Sequence, residues 1–187
     1  MNLSLSFLIF WNLARRLLIH VSVRYSIYLG LATVLLAGCA THHRALPRYE
    51  TPLAKTEFQT VRTTAYTHTE ADHLAYGKHN ALGTTLCCGA IKSAAADWSR
   101  WPAGTIFRIV QTGETYQVDD YGWALAGRNT IDLYKPTRFD MDQWGVRAVT
   151  IQVLQWGDMN YSYHILRQRN HYPHVRRMVL EIEGKPV

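Results

Sequence analysis

Apolar and polar positions alternate cleanly along residues 147–154 (RAVTIQVL), the period of a strand with one buried face. Residues 58–66 (FQTVRTTAY), 105–110 (TIFRIV), 115–118 (TYQV) and 130–134 (TIDLY) are short runs rich in β-branched and aromatic residues, and they predict further strands. Thr112-Gly113-Glu114 makes a turn between the second and third of these runs. Another apolar strand ends at Asp97. Residues 139–144 predict one or two helical turns, stopped by Gly145. Many short strands with Gly and Pro turns predict an all-β domain, a small barrel or sandwich. After Gly157 the pattern changes. Val175, Met178, Val179 and Ile182 fall at i, i+3, i+4 and i+7, one face of a short C-terminal helix that covers part of the β domain. The organisation expected is therefore a leader at 1–38, a polar Pro-containing tether at 39–57, a β domain at 58–157 and a basic C-terminal extension at 158–187.

Composition narrows the class. The chain has 187 residues, 48% hydrophobic and 18% charged, too apolar for a disordered chain. No sustained heptad and no long internal repeat is present, which excludes a coiled coil and argues against a solenoid. Arg15, Arg16 and Arg24 are the only charged residues in the first 38. Residues 39–187 then hold 17 basic and 14 acidic residues, a net +3. That excess is too small to point to nucleic acid.

The leader reads as an address. A basic region precedes thirteen mostly apolar residues at 25–37 (YSIYLGLATVLLA), and Leu36-Ala37-Gly38-Cys39 follows the run. This is the build of a secretory signal peptide. The tetrapeptide resembles the bacterial lipobox, which implies cleavage before Cys39 and a lipid on its sulfur. Ala40 in the next position implies the outer membrane, facing the periplasm.

The remaining cysteines, Cys87 and Cys88, are adjacent, and their Cα atoms lie about 3.8 Å apart, shorter than the usual disulfide span. They are expected as two small buried residues on a strand. His68, Asp72, His73 and His79 cluster in sequence, as do His164, His171 and His174, but their spacings match no common zinc pattern. Neither metal nor organic cofactor is expected.

The informative residues are three aspartates. Asp97 ends an apolar strand, Asp120 opens a Gly-containing loop, and Asp132 sits between Ile131 and Leu133 in an apolar strand. A carboxyl in such a place must be paired, protonated or facing a groove. A carboxyl with a raised pKa suits a general acid. Asp119 is expected to face solvent, because adjacent strand residues point to opposite faces. Asp140 and Asp142 read as helix first-turn acids.

These aspartates stand in an ordered series: Thr64-Ala65-Tyr66, Gly83-Thr84-Thr85, Asp97, Pro102 to Thr105, Asp120 with Gly122, Ala124, Leu125 and Gly127, Ile131 to Tyr134, and Trp144-Gly145-Val146-Arg147. In this order the chain resembles, over about residues 58–156, the three-aspartate (3D) domain. That module is found in membrane-bound lytic transglycosylase A and in many small cell-wall proteins. The resemblance implies a six-stranded double-psi β-barrel, as in rare lipoprotein A. It implies a peptidoglycan-active, lytic transglycosylase-like lipoprotein in cell-wall turnover, or a glycan-binding module on the same barrel. It implies Asp132 as general acid, Asp120 beside it as the second carboxylate, and Asp97 as a structural tie. Tyr66, Gly122 and Trp123 would line the groove. Trp123 stands where the family has a second glycine, and would stack on a sugar ring or close the groove. The partners implied are glycan strands and the membrane that holds the Cys39 lipid, with the protein a monomer.

Overall fold

The strand-forming runs pair until no edge is left. In the computed structural model, which describes residues 44–71 and 73–187, six strands close into a mixed barrel: β1 (Phe58–Tyr66), β2 (Ile91–Ala95), β3 (Ile106–Ile109), β4 (Thr115–Asp120), β5 (Thr130–Tyr134) and β6 (Arg147–Gln155). Their order around the barrel is β1-β5-β2-β4-β3-β6. β1 runs parallel to β5 and β2 parallel to β4, while the other neighbours are antiparallel. Closure removes the free edges that a sheet of this size would expose. The leader, Cys39 and Asp72 lie outside the described residues. Among the described residues no helix is long and apolar enough to cross a membrane.

Alternation sorts the side chains. Val61, Phe107, Ile109, Tyr116, Val118, Ile131, Leu133 and Ile151 are almost wholly buried and fill the barrel. Glu114 lies between Lys92 and Lys135, and Lys135 sits over the Trp144 ring. A second, smaller cluster of Tyr66, Leu86, Ala95, Leu125 and Tyr134 is separate from this core. It lies on the outer face, where the loop 67–90 leaves β1, crosses β5 and returns as β2.

Three helices complete the fold: α1 (Arg138–Trp144), α2 (Met159–Gln168) and α3 (Pro173–Ile182). Thr137 caps α1 by accepting from the Asp140 N–H, and Gly145 ends it at φ 60°, a conformation that favours glycine. The stretch before α3, read only as part of a basic extension, is the helix α2. Asp158 caps it by accepting from the Asn160 and Tyr161 N–H groups. Leu166 of α2 and Val175, Met178 and Val179 of α3 join the main core. The C-terminal extension is thus part of the folded body.

Two other expectations change. The segment read as a tether is held to the barrel. Glu50 N–H donates to Gly127 O, and its carboxylate accepts from Asn129 N–H and Arg128, while Pro47 O accepts from Arg177. Cys87 and Cys88 are exposed free thiols in the loop ahead of β2, not buried strand residues. The chain there makes an isolated bridge, Cys88 to Lys92, and Cys87 Sγ accepts from the Gly89 N–H.

Candidate active site

The site grows out of the barrel's outer face. Thr64 and Tyr66 on β1 pair in register with Asp132 and Tyr134 on β5. Ala95 on β2 pairs with Asp132 on one side and Asp120 on the other. Residues paired this way share a face, so Thr64, Tyr66, Asp132, Ala95 and Asp120 all point outward. Ile131 and Leu133 point inward and are fully buried, which fixes the direction of Asp132 between them.

Asp132 is partly exposed, and Thr64 Oγ1 donates to its Oδ1 at 2.6 Å. Asp120 is only 6% exposed and is engaged at both oxygens. Its Oδ1 accepts from the backbone N–H of Ala81 (3.0 Å) and of Tyr121 (2.9 Å), and its Oδ2 accepts from the Tyr66 hydroxyl (3.1 Å). Burial dominates these bonds and, with the neighbouring Asp119 charge, pushes the Asp120 pKa up from 3.8 to about 7. Near neutral pH this carboxyl therefore holds a proton for much of the time. Burial, with the charges of Asp120, Asp119 and Asp132, also lifts Tyr66 well above the ordinary tyrosine range, so its hydroxyl stays a donor.

Asp119 does not face solvent. It is 9% exposed, and its Oδ2 accepts from Ser93 Oγ (2.5 Å) and Asn80 Nδ2 (2.9 Å). The cause is a break in register. Ala94 pairs with Val118 but Ala95 pairs with Asp120, which leaves Asp119 as the extra residue of a β-bulge. The bulge cancels the alternation and brings two consecutive aspartates to one face. Burial raises the Asp119 pKa against the lowering bonds from Ser93 and Asn80.

Asp97 lies apart from this group and is wholly buried. Its Oδ1 accepts from Ser99 N–H and Oγ and its Oδ2 from Gly127 N–H, so it ties the turn after β2 to the turn before β5. Gly122 and Trp123 follow Asp120 in a short 3-10 turn (Trp123–Leu125), both partly exposed. Of the five tryptophans after the leader, Trp98, Trp101 and Trp144 are buried, with N–H groups donating to Asp120 O, Gln59 and Thr63. Trp123 and Trp156 are partly exposed, and Lys55 Nζ lies over the Trp156 ring.

No family model and no curated protein matches this chain.

Four residues here carry roles that the sequence reading did not assign. Thr64 and Ser93 could have been found by period two, since they precede Tyr66 and Ala95 by two residues on the same strands. Asn80 and Arg169 left no local signal. Arg169, at the end of α2, donates to Ala81 O (2.9 Å) and to the Tyr121 hydroxyl (3.1 Å), so it holds the two residues whose N–H groups donate to Asp120. Among the described residues no group of three His, Cys, Asp or Glu side chains is placed to hold a metal ion.

Proposed function

We propose that this chain is a peptidoglycan-active lipoprotein that cleaves the glycan in the manner of a lytic transglycosylase, on a barrel of the double-psi type. The observation that carries the reading is one partly exposed carboxyl, Asp132, beside a second, Asp120, that is buried and engaged at both oxygens. A hydrolase of glycosidic bonds needs two carboxyl groups that both reach the substrate or its water. A transglycosylase can work with one. Asp132 would protonate the glycosidic oxygen and then, as carboxylate, take the proton of the muramoyl 6-hydroxyl as that oxygen attacks C1. The product is a 1,6-anhydro sugar, with no water consumed. Thr64 orients the carboxyl, and Asp120 with Tyr66 sets the field beside it.

The mixed pairing, with β1 parallel to β5 and β2 parallel to β4, supports the double-psi reading. The motif series of the three-aspartate resemblance supports the substrate class. The lipobox-like run ending at Cys39 supports a lipid anchor in the envelope, at the outer membrane, and a Cys39→Ser chain should leave the membrane fraction.

The test is to incubate the purified full chain with peptidoglycan sacculi and seek 1,6-anhydro-muropeptides by mass spectrometry, with Asp132→Asn alongside. Anhydro products lost in the variant support the proposal. Reducing-end products would mean hydrolysis and overturn it. A protein that pellets on sacculi and releases nothing would be a glycan-binding module.

A further inference from the structure

A second concavity lies on the same outer face, beyond the aspartates. It is a cleft of about 380 Å³, within the range of small-molecule sites. Gln117, Gln155, Trp156 and Tyr161 line it, and Leu82 forms its wall toward the aspartates.

Its floor is built rigidly. Gly104 N–H donates to Val118 O, and Gly157 N–H donates to Thr105 Oγ1. A Cβ on Gly157 would stand 2.2 Å from Ala103 O, so only glycine lets these two backbones meet. The lining is chemically mixed in a particular way. Trp156 is partly exposed, Tyr161 is 50% exposed, and two amide side chains reach the same space. Asp158 is the one charged residue of the lining, its Oδ1 already caps α2, and Lys55 Nζ stands over one face of the Trp156 ring, 5.5 Å from its centroid. Aromatic faces with amides and little charge suit a neutral ligand that has apolar faces and a rim of hydroxyl and amide groups. An N-acetylated sugar has that surface.

Position joins this cleft to the carboxylates. Gln117 is two residues before Asp119 on β4, so both face outward on one strand. Gln117 pairs with Ile106 on β3, and Ile106 pairs with Gln155 on β6. Leu82 follows Ala81, whose N–H holds Asp120. Gln117 lies on β4, two strand spacings from β5 and three residues before Asp120, which stands level with Asp132, so this wall of the cleft is roughly 9–10 Å across the strands and roughly 10 Å along them from Asp132. A single sugar cannot span that separation.

We propose that the cleft at Trp156 and Tyr161 is a distal glycan subsite, which holds an N-acetylglucosamine-type residue several units away from the one at Asp132. This rests on the glycan-cleaving reading for its substrate class, but the subsite can be tested by binding alone.

The probes are chitotetraose and N-acetylglucosamine, titrated into the full chain and followed by calorimetry. The expected result is binding of the tetramer well above the monomer, weakened about tenfold or more in both Trp156→Ala and Tyr161→Ala. Tyr161 is half exposed, so its variant keeps the fold, which a melting curve checks. Unchanged tetramer affinity in Tyr161→Ala and Trp156→Ala, or no affinity in the wild type, overturns the subsite. The two proposals separate cleanly. Anhydro products from sacculi with unaffected variants would keep the activity and remove the subsite. Tetramer binding that depends on Trp156 and Tyr161, with no cleavage by the wild type, would keep the subsite and remove the activity.

Discussion

Asp120 and Asp132 stand at the same level of the barrel, on strands two apart, each in register with Ala95 between them. Their backbones are therefore two strand spacings apart, roughly 9–10 Å. Ala95 between them is buried in the second cluster with Tyr66 and Leu86. Their environments differ sharply. Asp132 reaches the surface, whereas Asp120 is sealed beneath Asn80 and Ala81.

That difference predicts different roles under substitution. Asp132→Asn should remove anhydro-product formation by about two to four orders of magnitude, the usual worth of a positioned acid–base group. Thr64→Val should lower the rate more mildly and leave the melting temperature close to wild type. Equal activity of Asp132→Asn and the parent in the sacculus digest would reject Asp132 as the acid.

Asp120 should make the protein less stable as pH rises. Its folded pKa, about 7, lies above its ordinary 3.8, so the folded state binds the extra proton between these values. The stabilisation is full below about pH 4, declines as pH rises toward 7 and is gone above it, amounting to a few kcal/mol at most by the linkage relation. Asp120→Asn can keep all three bonds, its oxygen accepting from Ala81 and Tyr121 and its amide donating to Tyr66. It should raise the melting temperature at pH 8 and flatten the curve between pH 5 and 8. A variant with an unaltered pH slope would contradict this.

Arg169 should act on the site from a distance. Arg169→Ala breaks bonds to Ala81 O and the Tyr121 hydroxyl, charge-assisted contacts worth about 1.5–3 kcal/mol each at most. The expected result is a modest fall in stability with faster amide exchange at Ala81 and Leu82. Exchange at those amides equal to wild type would show that the clamp carries no strain from the helices to the loop.

Gly157→Ala should destabilise by about 1–3 kcal/mol or more, the usual cost of overpacking, because its Cβ meets backbone rather than a flexible side chain. Thermal melts would measure it, and a neutral result would mean the turn at 102–105 can move.

Cys87 and Cys88 should both react with a thiol reagent in the folded protein, since both are exposed. In a Cys39→Ala background the expected count is two thiols without denaturant. Slow labelling that needs denaturant would return them to the buried class.

Short-range pattern was enough to read β1, β5, β6, the turn into Gly145 and the apolar face of α3. Each rests on a period of 2 or 3.6 within one segment, and a period needs no knowledge of the neighbour. It missed α2, whose cap at Asp158 was readable but whose buried residues, Ser162 and Leu166, are too few to make a stripe. It also read Cys87 and Cys88 as strand residues, because two small side chains carry no period of their own.

The sequence by itself thus determined a small β-rich domain, its inward-facing residues and the three aspartates as its unusual members. The tertiary structure decided which aspartates meet. Strand order brings β4 and β5 to either side of β2, although they are separated in the chain by the turn at Gly122–Arg128. The bulge at Asp119 turns two consecutive carboxyl groups to one face, against the alternation that any local reading must assume. The loop from β1 and the clamp from Arg169 then bury one carboxyl of the site and leave the other partly exposed. Register, bulge and burial are relations between segments, set by how the closed barrel packs, and no single stretch of the chain contains them.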